Sequence, residues 1–233
     1  QNVKIIVNSR NLFNSLSTGI LFHGFYLGGV FYSIFIGFPT SLTALIVTMQ
    51  PILTNLVAGY FLKEKVSFNQ WLGVFLGFTG AVMVLGFDIG SSLPIKGVVA
   101  SVIALIAITT STIWQKKISN NIPLSVNNMY QAMGAVLFHL IIVIFIFKEP
   151  FLKINKQFLL AMSHQVFLVS LGAFSILMYL IKKNSASKTV SLFFLIPVVT
   201  ALMAWLFLGE VLMKIDILGF IIASVGVFLS TKK

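Results

Sequence analysis

Gln50 and Asn55 bracket Pro51 inside an apolar run, and Tyr130, Gln131 and His139 lie in another. Amide, phenol and imidazole groups there offer hydrogen bonds without a permanent charge, which is the chemistry of holding a solute rather than of cleaving one. Pro51 has a counterpart in Pro197, and each removes one helical backbone bond and kinks its helix, freeing a carbonyl to face a cavity. These seven residues are the expected substrate pathway, with the hydrogen-bonding wall on the run that carries Gln50, because Ile196 and Ala201 stand where Gln50 and Asn55 would recur. Glu64 and Glu210 close apolar runs near the interface. A proton-coupling carboxylate is expected deeper in the membrane, so these two are assigned structural roles, either capping the helical turn that follows or pairing with Lys63, Lys65 or Lys214. His23 is expected to be satisfied by packing, Trp71 and Trp114 to anchor at the interface, and Thr109–Thr112 to bond their own helix. No HExxH, P-loop, GxSxG or acidic metal cluster occurs, and there is no cysteine for thiol or zinc chemistry. The chain therefore reads as no enzyme, with no cofactor and no metal.

The elements that must position these groups follow from composition. The chain is 58% hydrophobic and 9% charged, against about 25% charged in an ordinary soluble domain, so the apolar excess must face lipid. Eight runs have near-spanning length, about 18–36, 42–62, 71–87, 97–114, 130–147, 166–181, 190–208 and 215–229, with residues 1–16 expected as a loop or interfacial segment. Backbone groups in lipid must be bonded within a segment, and the unalternating runs exclude a barrel. The fold class is all-α integral membrane. The net charge of +11 lies in the short gaps, so it indicates topology rather than nucleic acid. Lys4, Arg10, Lys63, Lys65, Lys116, Lys117, Lys182, Lys183, Lys188, Lys232 and Lys233 fall on one side with Glu64 alone among acids. Lys96, Lys148, Lys153, Lys156 and Lys214 share the other with Asp88, Glu149, Glu210 and Asp216. The first side is expected to be cytoplasmic, with both ends of the chain there.

A repeat organises these runs. Pro51, Glu64, Gly73 and Gly80 recur without a gap as Pro197, Glu210, Gly219 and Gly226, each 146 positions on. The second and third runs thus correspond to the seventh and eighth. A step of five crossings is odd, so the copies face opposite ways, the inverted plan of many secondary transporters. The four glycines are expected as packing faces. Residues 1–87 pair with the end of the chain and 88–146 have no partner, so about two further crossings are expected before Gln1.

The Pro-x12-Glu-x8-Gly-x6-Gly pattern, twice over, together with the stretch from His23 to Leu85, resembles the EamA-type branch of the drug/metabolite transporter superfamily. The resemblance implies a ten-helix plan of two five-helix inverted repeats with both termini cytoplasmic. Residues 1–87 would be the last three helices of the first repeat and 88–233 the whole second repeat. It also implies a cavity-lining role for the helix that carries His139. The function implied is a secondary, non-ATP transporter of small organic metabolites or drugs in the inner (plasma) membrane, working by alternating access, with efflux among its modes. The partners are the lipid bilayer and a small-molecule substrate, without nucleic acid, and a homodimer is compatible with the plan. A non-transporting membrane scaffold or regulatory protein, or an integral membrane enzyme acting on lipids, is the alternative.

Overall fold

The computed structural model describes residues 8–86, 93–145, 154–209 and 211–232, and among them there is no strand. Eight helices are long and apolar enough to cross a membrane: α1 (Ser9–Phe35), α2 (Thr40–Leu62), α3 (Phe68–Leu85), α4 (Ile95–Ile118), α5 (Leu124–Phe145), α6 (Lys156–Lys183), α7 (Ala186–Phe207) and α8 (Lys214–Thr231). The all-helical membrane fold is as the sequence predicts. Two starts differ. Residues from Ser9 onward are helical instead of a loop, because the Asn8 side chain caps the first turn and Ser15 Oγ donates to Asn127 Oδ1 on α5 at 2.6 Å. Helix α6 likewise begins at Lys156, capped by the Asn155 side chain, about ten residues before the apolar run.

Helix α2 breaks near its middle. Met49 N–H bonds to Ile46 O and Ile52 N–H to Met49 O, three residues apart rather than four, and Pro51 follows at once. Helix α7 carries a 3₁₀ turn, Leu192–Phe194, just before Pro197. Other irregularities recur in the same way. Helix α1 holds a π-helical stretch, Ile20–Leu27, and α6 holds another, His164–Ala173. Lys63 and Gly209, 146 positions apart, both end their helices in the left-handed region, at φ 57° and 71°. The bounds of α3 map end to end onto those of α8. Turn geometry thus repeats even where the side chains have diverged.

Helices α3 and α8 pack antiparallel at backbone distance. A Cβ built on Gly73 would stand 2.5 Å from Gly226 O, and one on Gly219 would stand 2.8 Å from Gly80 O. Exchanging each glycine for its sequence counterpart turns the first contact into the second. A two-fold axis between the helices generates that pattern. Around the crossing, Val74, Ala81, Phe194 and Val227 form a buried core. Helix α4 is the most enclosed of the eight and packs on α1 and α2. At one end Ser33 Oγ ties three elements, donating to Gly97 O at 3.0 Å and lying 3.1 Å from Thr43 Oγ1 and 2.9 Å from Ser101 Oγ. Large apolar side chains such as Phe35, Tyr60 and Phe207 point outward around the molecule. In water that would be an aggregating surface, and in lipid it is matched.

Candidate functional site

A cavity of about 190 Å³ opens between α1, the first half of α2 and α7, with Tyr26, Thr43, Thr48, Phe193 and Ile196 among its walls. Its walls are aliphatic and aromatic with a few hydroxyls. Beside it, Phe22, Phe174, Met178, Ile181 and Ile108 pack into a buried cluster joined by Tyr26 and Phe193. The rings of Phe22 meet Tyr26 and Phe174 edge to face, at 5.3 and 5.1 Å between centroids. Edge-to-face aromatic pairs at that spacing are the favoured arrangement of packed rings.

A seam of buried polar side chains runs through α2, α4 and α5. Gln50 is wholly buried, and its Nε2 donates to Thr112 Oγ1 at 3.0 Å. Gln131 Nε2 donates to Gln115 Oε1 at 2.8 Å and reaches Met178 Sδ at 3.9 Å. Thr112 and Gln115 are three residues apart and so share one face of α4. Gln50 Oε1, Gln131 Oε1, Thr54 Oγ1 and both amide atoms of Asn55 have no hydrogen-bond partner among the described residues, although each residue is buried. An unpaired buried polar atom costs about 1–3 kcal/mol, so these five atoms are available to hydrogen-bond a solute or water.

The far end of the seam is tied shut by charge. Glu64, just past the left-handed Lys63, accepts from Ala186 N at 2.7 Å, Ser187 N at 3.2 Å and Ser187 Oγ at 3.0 Å. It therefore caps the start of α7, not the turn that follows it in sequence and not a neighbouring lysine. Lys116, in the last turn of α4, donates from Nζ to Ile181 O, Lys182 O and Asn184 O, the free carbonyls that end α6. Both charges work on helix ends, where the orphan N–H and C=O groups carry the dipole. Ala58 of α2 packs against Ala186 and Ile113 just behind Glu64.

Sequence reasoning places Gln50, Pro51, Asn55, Tyr130, Gln131, His139 and Pro197 on one pathway. The structure buries the first five and Pro197, and brings Gln50, Asn55 and Gln131 toward the seam. His139 goes elsewhere. It is exposed in a lateral groove of about 810 Å³ beside Gly28, Phe35 and Lys96, its Nε2 3.2 Å from His23 O. Gly73, Gly80, Gly219 and Gly226 all lie in the α3–α8 crossing. Glu210 falls outside the described residues, as do Asp88, Lys148, Glu149, Lys153 and Lys233. Thr112, Gln115 and Lys116 escape sequence reasoning. In the Thr109–Thr112 run, Thr109 does bond its own helix, at Leu105 O, but Thr112 receives Gln50. The available signal is Thr112 and Gln115 three residues apart, on one face of α4.

Residues 95–232 match the EamA-like transporter family. Two curated proteins of Bacillus subtilis (strain 168) are similar to the chain. Uncharacterized transporter YyaM is 28% identical over 193 residues, 79% of this chain and 62% of that protein. Uncharacterized transporter YvbV is 24% identical over 203 residues, 85% of this chain and 64% of that protein. The chain thus spans under two thirds of the length of either relative. A solved crystal structure superposes with a TM-score of 0.78 at 17% identity, over 97% of this chain and 79% of that one.

Proposed function

With residues 95–232 matched, more than half of its length, the chain belongs to the EamA-like transporter family, and from that premise we propose that it is a secondary transporter for a small polar or amphipathic organic solute. Residues 1–87 are read as the last three helices of one repeat and 88–233 as the second repeat. The exchange-symmetric glycine crossing and the paired helix breaks support that division. Pro51 and Pro197 bend two counterpart helices beside the cavity, as a midplane site between inverted halves requires. The present arrangement is one face of an alternating-access cycle. The cavity lies toward the Thr40 end of α2, and Glu64 and Lys116 join helix ends at the opposite end; the first is read as the open side and the second as the closed one. The observation that carries the reading is the row of buried, half-bonded amides and hydroxyls along the closed side. When Glu64 lets go, Gln50, Thr54, Asn55 and Gln131 become the wall that meets solute and water, and Tyr130 stands next to them. An uncharged wall suits a solute recognised through hydrogen bonds. His139 is left out of this pathway.

Untargeted metabolite comparison of cells with and without the full-length gene should name the solute, and uptake into vesicles should then give its direction and driving ion. Gln50→Leu leaves one solute group unpaired, about 1–3 kcal/mol, so transport should fall about ten-fold with folded protein retained, while Ile196→Leu changes little. The chain has no native cysteine, so single cysteines at 50 and 55 read accessibility cleanly. Shielding from water-soluble thiol reagents in every condition, with and without solute, would remove α2 from the pathway.

Orientation is proposed from the lysine bias, with the Lys63, Lys116 and Lys182 turns on the cytoplasmic side of the inner (plasma) membrane. Reporter fusions after Lys117 and Lys232 should report cytoplasm, and one after Asn155 the opposite side. A periplasmic signal after Lys117 sinks the assignment.

A further inference from the structure

On the outer side of α2 and α4, away from the seam, lies a groove of about 410 Å³. Its floor is Leu53, Val57, Ile106 and Ile113, and its one charged residue is Lys117. Among the described residues no acidic side chain lines it. Phe61 forms one lip, and the Lys117 ammonium lies 5.2 Å above the centre of that ring. Trp114 stands one turn inward. Helix α4 has 24 residues, about 36 Å at a rise of roughly 1.5 Å per residue, which exceeds the roughly 30 Å hydrocarbon core. Lys117, in its last turn, therefore sits among the headgroups, and Trp114 takes the aromatic belt. Ile106 lies eleven residues earlier, about 16 Å deeper, which is close to the bilayer centre. The groove is one leaflet long, apolar except for Thr109 and Thr110 midway, and cationic at its wet end.

We infer that this groove is a specific site for one anionic phospholipid, with an acyl chain laid between α2 and α4 and the phosphate against Lys117. A zwitterionic lipid fits the same apolar floor but brings its own ammonium to Lys117, so charge selects between lipids that shape does not. A free anion has no reason to stay at this exposed lysine without the chain. The site backs directly onto the helix pair joined by Gln50 and Thr112, so its occupant touches the two helices whose contact the transport cycle must loosen.

The test is native mass spectrometry of the purified chain in detergent supplemented with equal phosphatidylglycerol and phosphatidylcholine. One retained phosphatidylglycerol is expected in preference to phosphatidylcholine by about five-fold, the gain from a single lysine near an anionic surface. Lys117→Gln should bring the two lipids to parity, Lys117→Arg should keep the preference, and Ile106→Trp should remove the retained lipid of either kind by filling the groove at mid-depth. Lys117 and Ile106 are both exposed, so these variants should fold. Parity in the unmodified chain, a preference that survives Lys117→Gln, or full retention in Ile106→Trp would each overturn the assignment. Inorganic phosphate serves as the competitor: if it displaces the signal, the site holds a free anion and the lipid assignment falls.

Discussion

Gly226→Leu is expected to abolish accumulation of folded protein. A Cβ at this position would press on Gly77 N and lie 2.6 Å from Gly73 O, both backbone atoms of the facing helix. Neither can rotate aside as a side-chain tip would, so α3 and α8 must separate along their whole crossing. Overpacking a core costs about 1–3 kcal/mol when side chains can adjust, and here none of the contacted atoms is a side chain. The expected loss is therefore at or above the top of that range, about a hundred-fold or more in the folded fraction. Gly59→Ala is the matched control. Its Cβ would meet only Glu64 O, at 3.6 Å, an ordinary contact, and a helix interior gains about 0.5–1 kcal/mol from the exchange. Detergent-solubilised yield and thermal stability by size-exclusion chromatography check both. Near-normal yield of Gly226→Leu would mean that the two helices do not meet as described.

Glu64→Ala is expected to open the closed side. The carboxylate accepts three hydrogen bonds from the first turn of α7, and bonds to a charged acceptor contribute about 1.5–3 kcal/mol each. Water can re-pair part of that at the protein surface, which leaves roughly 3 kcal/mol, a shift of about a hundred-fold between closed and open forms. A single cysteine at position 55 should then pass from slow to fast modification by a water-soluble thiol reagent. Glu64→Gln keeps one acceptor oxygen and should fall between. Lower yield with an unchanged labelling rate at position 55 would confine Glu64 to folding, and the closure role would be lost.

The parts of this molecule that can be read from sequence are those in which a residue's type fixes its role locally. Proline before a helix break, glycine at a backbone crossing and lysine at a membrane edge act through their own covalent or electrostatic character. Hence the repeat and the crossings carry the fold. The helical Ser9–Leu16 segment is not legible because its stability is tertiary: Ser15 finds Asn127 on α5, more than a hundred residues away. Composition makes polar residues 9–16 look like a loop. His139 departs from its expected place for a geometric reason. It lies eight residues after Gln131, about 80° further round the helix at 100° per residue, so a helix that turns Gln131 to the seam turns His139 toward lipid. That angle can be counted from the sequence. Glu64 is read from sequence as capping the turn that follows it or pairing with a neighbouring lysine, but its bonds go to Ala186 and Ser187, far off in sequence, and helix termini brought together by the fold leave no mark in a linear string of residues.

The glycine crossing has one more consequence. A contact that maps onto itself when its two partners are exchanged is isologous, the geometry of a homodimer. In α3 and α8 both partners sit on one chain. The peptide that joins them replaces an encounter between molecules with an effective local concentration on the order of millimolar, so the surface need not be sticky enough to find its partner by diffusion. Small residues suffice, because they let the two backbones approach closely. Each copy is also held in its own orientation by the rest of the chain, so the lysine pattern of one is free to drift from the other. Gln50 opposite Ile196 and Asn55 opposite Ala201 show the same freedom inside the apolar runs: a covalent dimer keeps the symmetry of its joint while the side chains of its two halves grow apart.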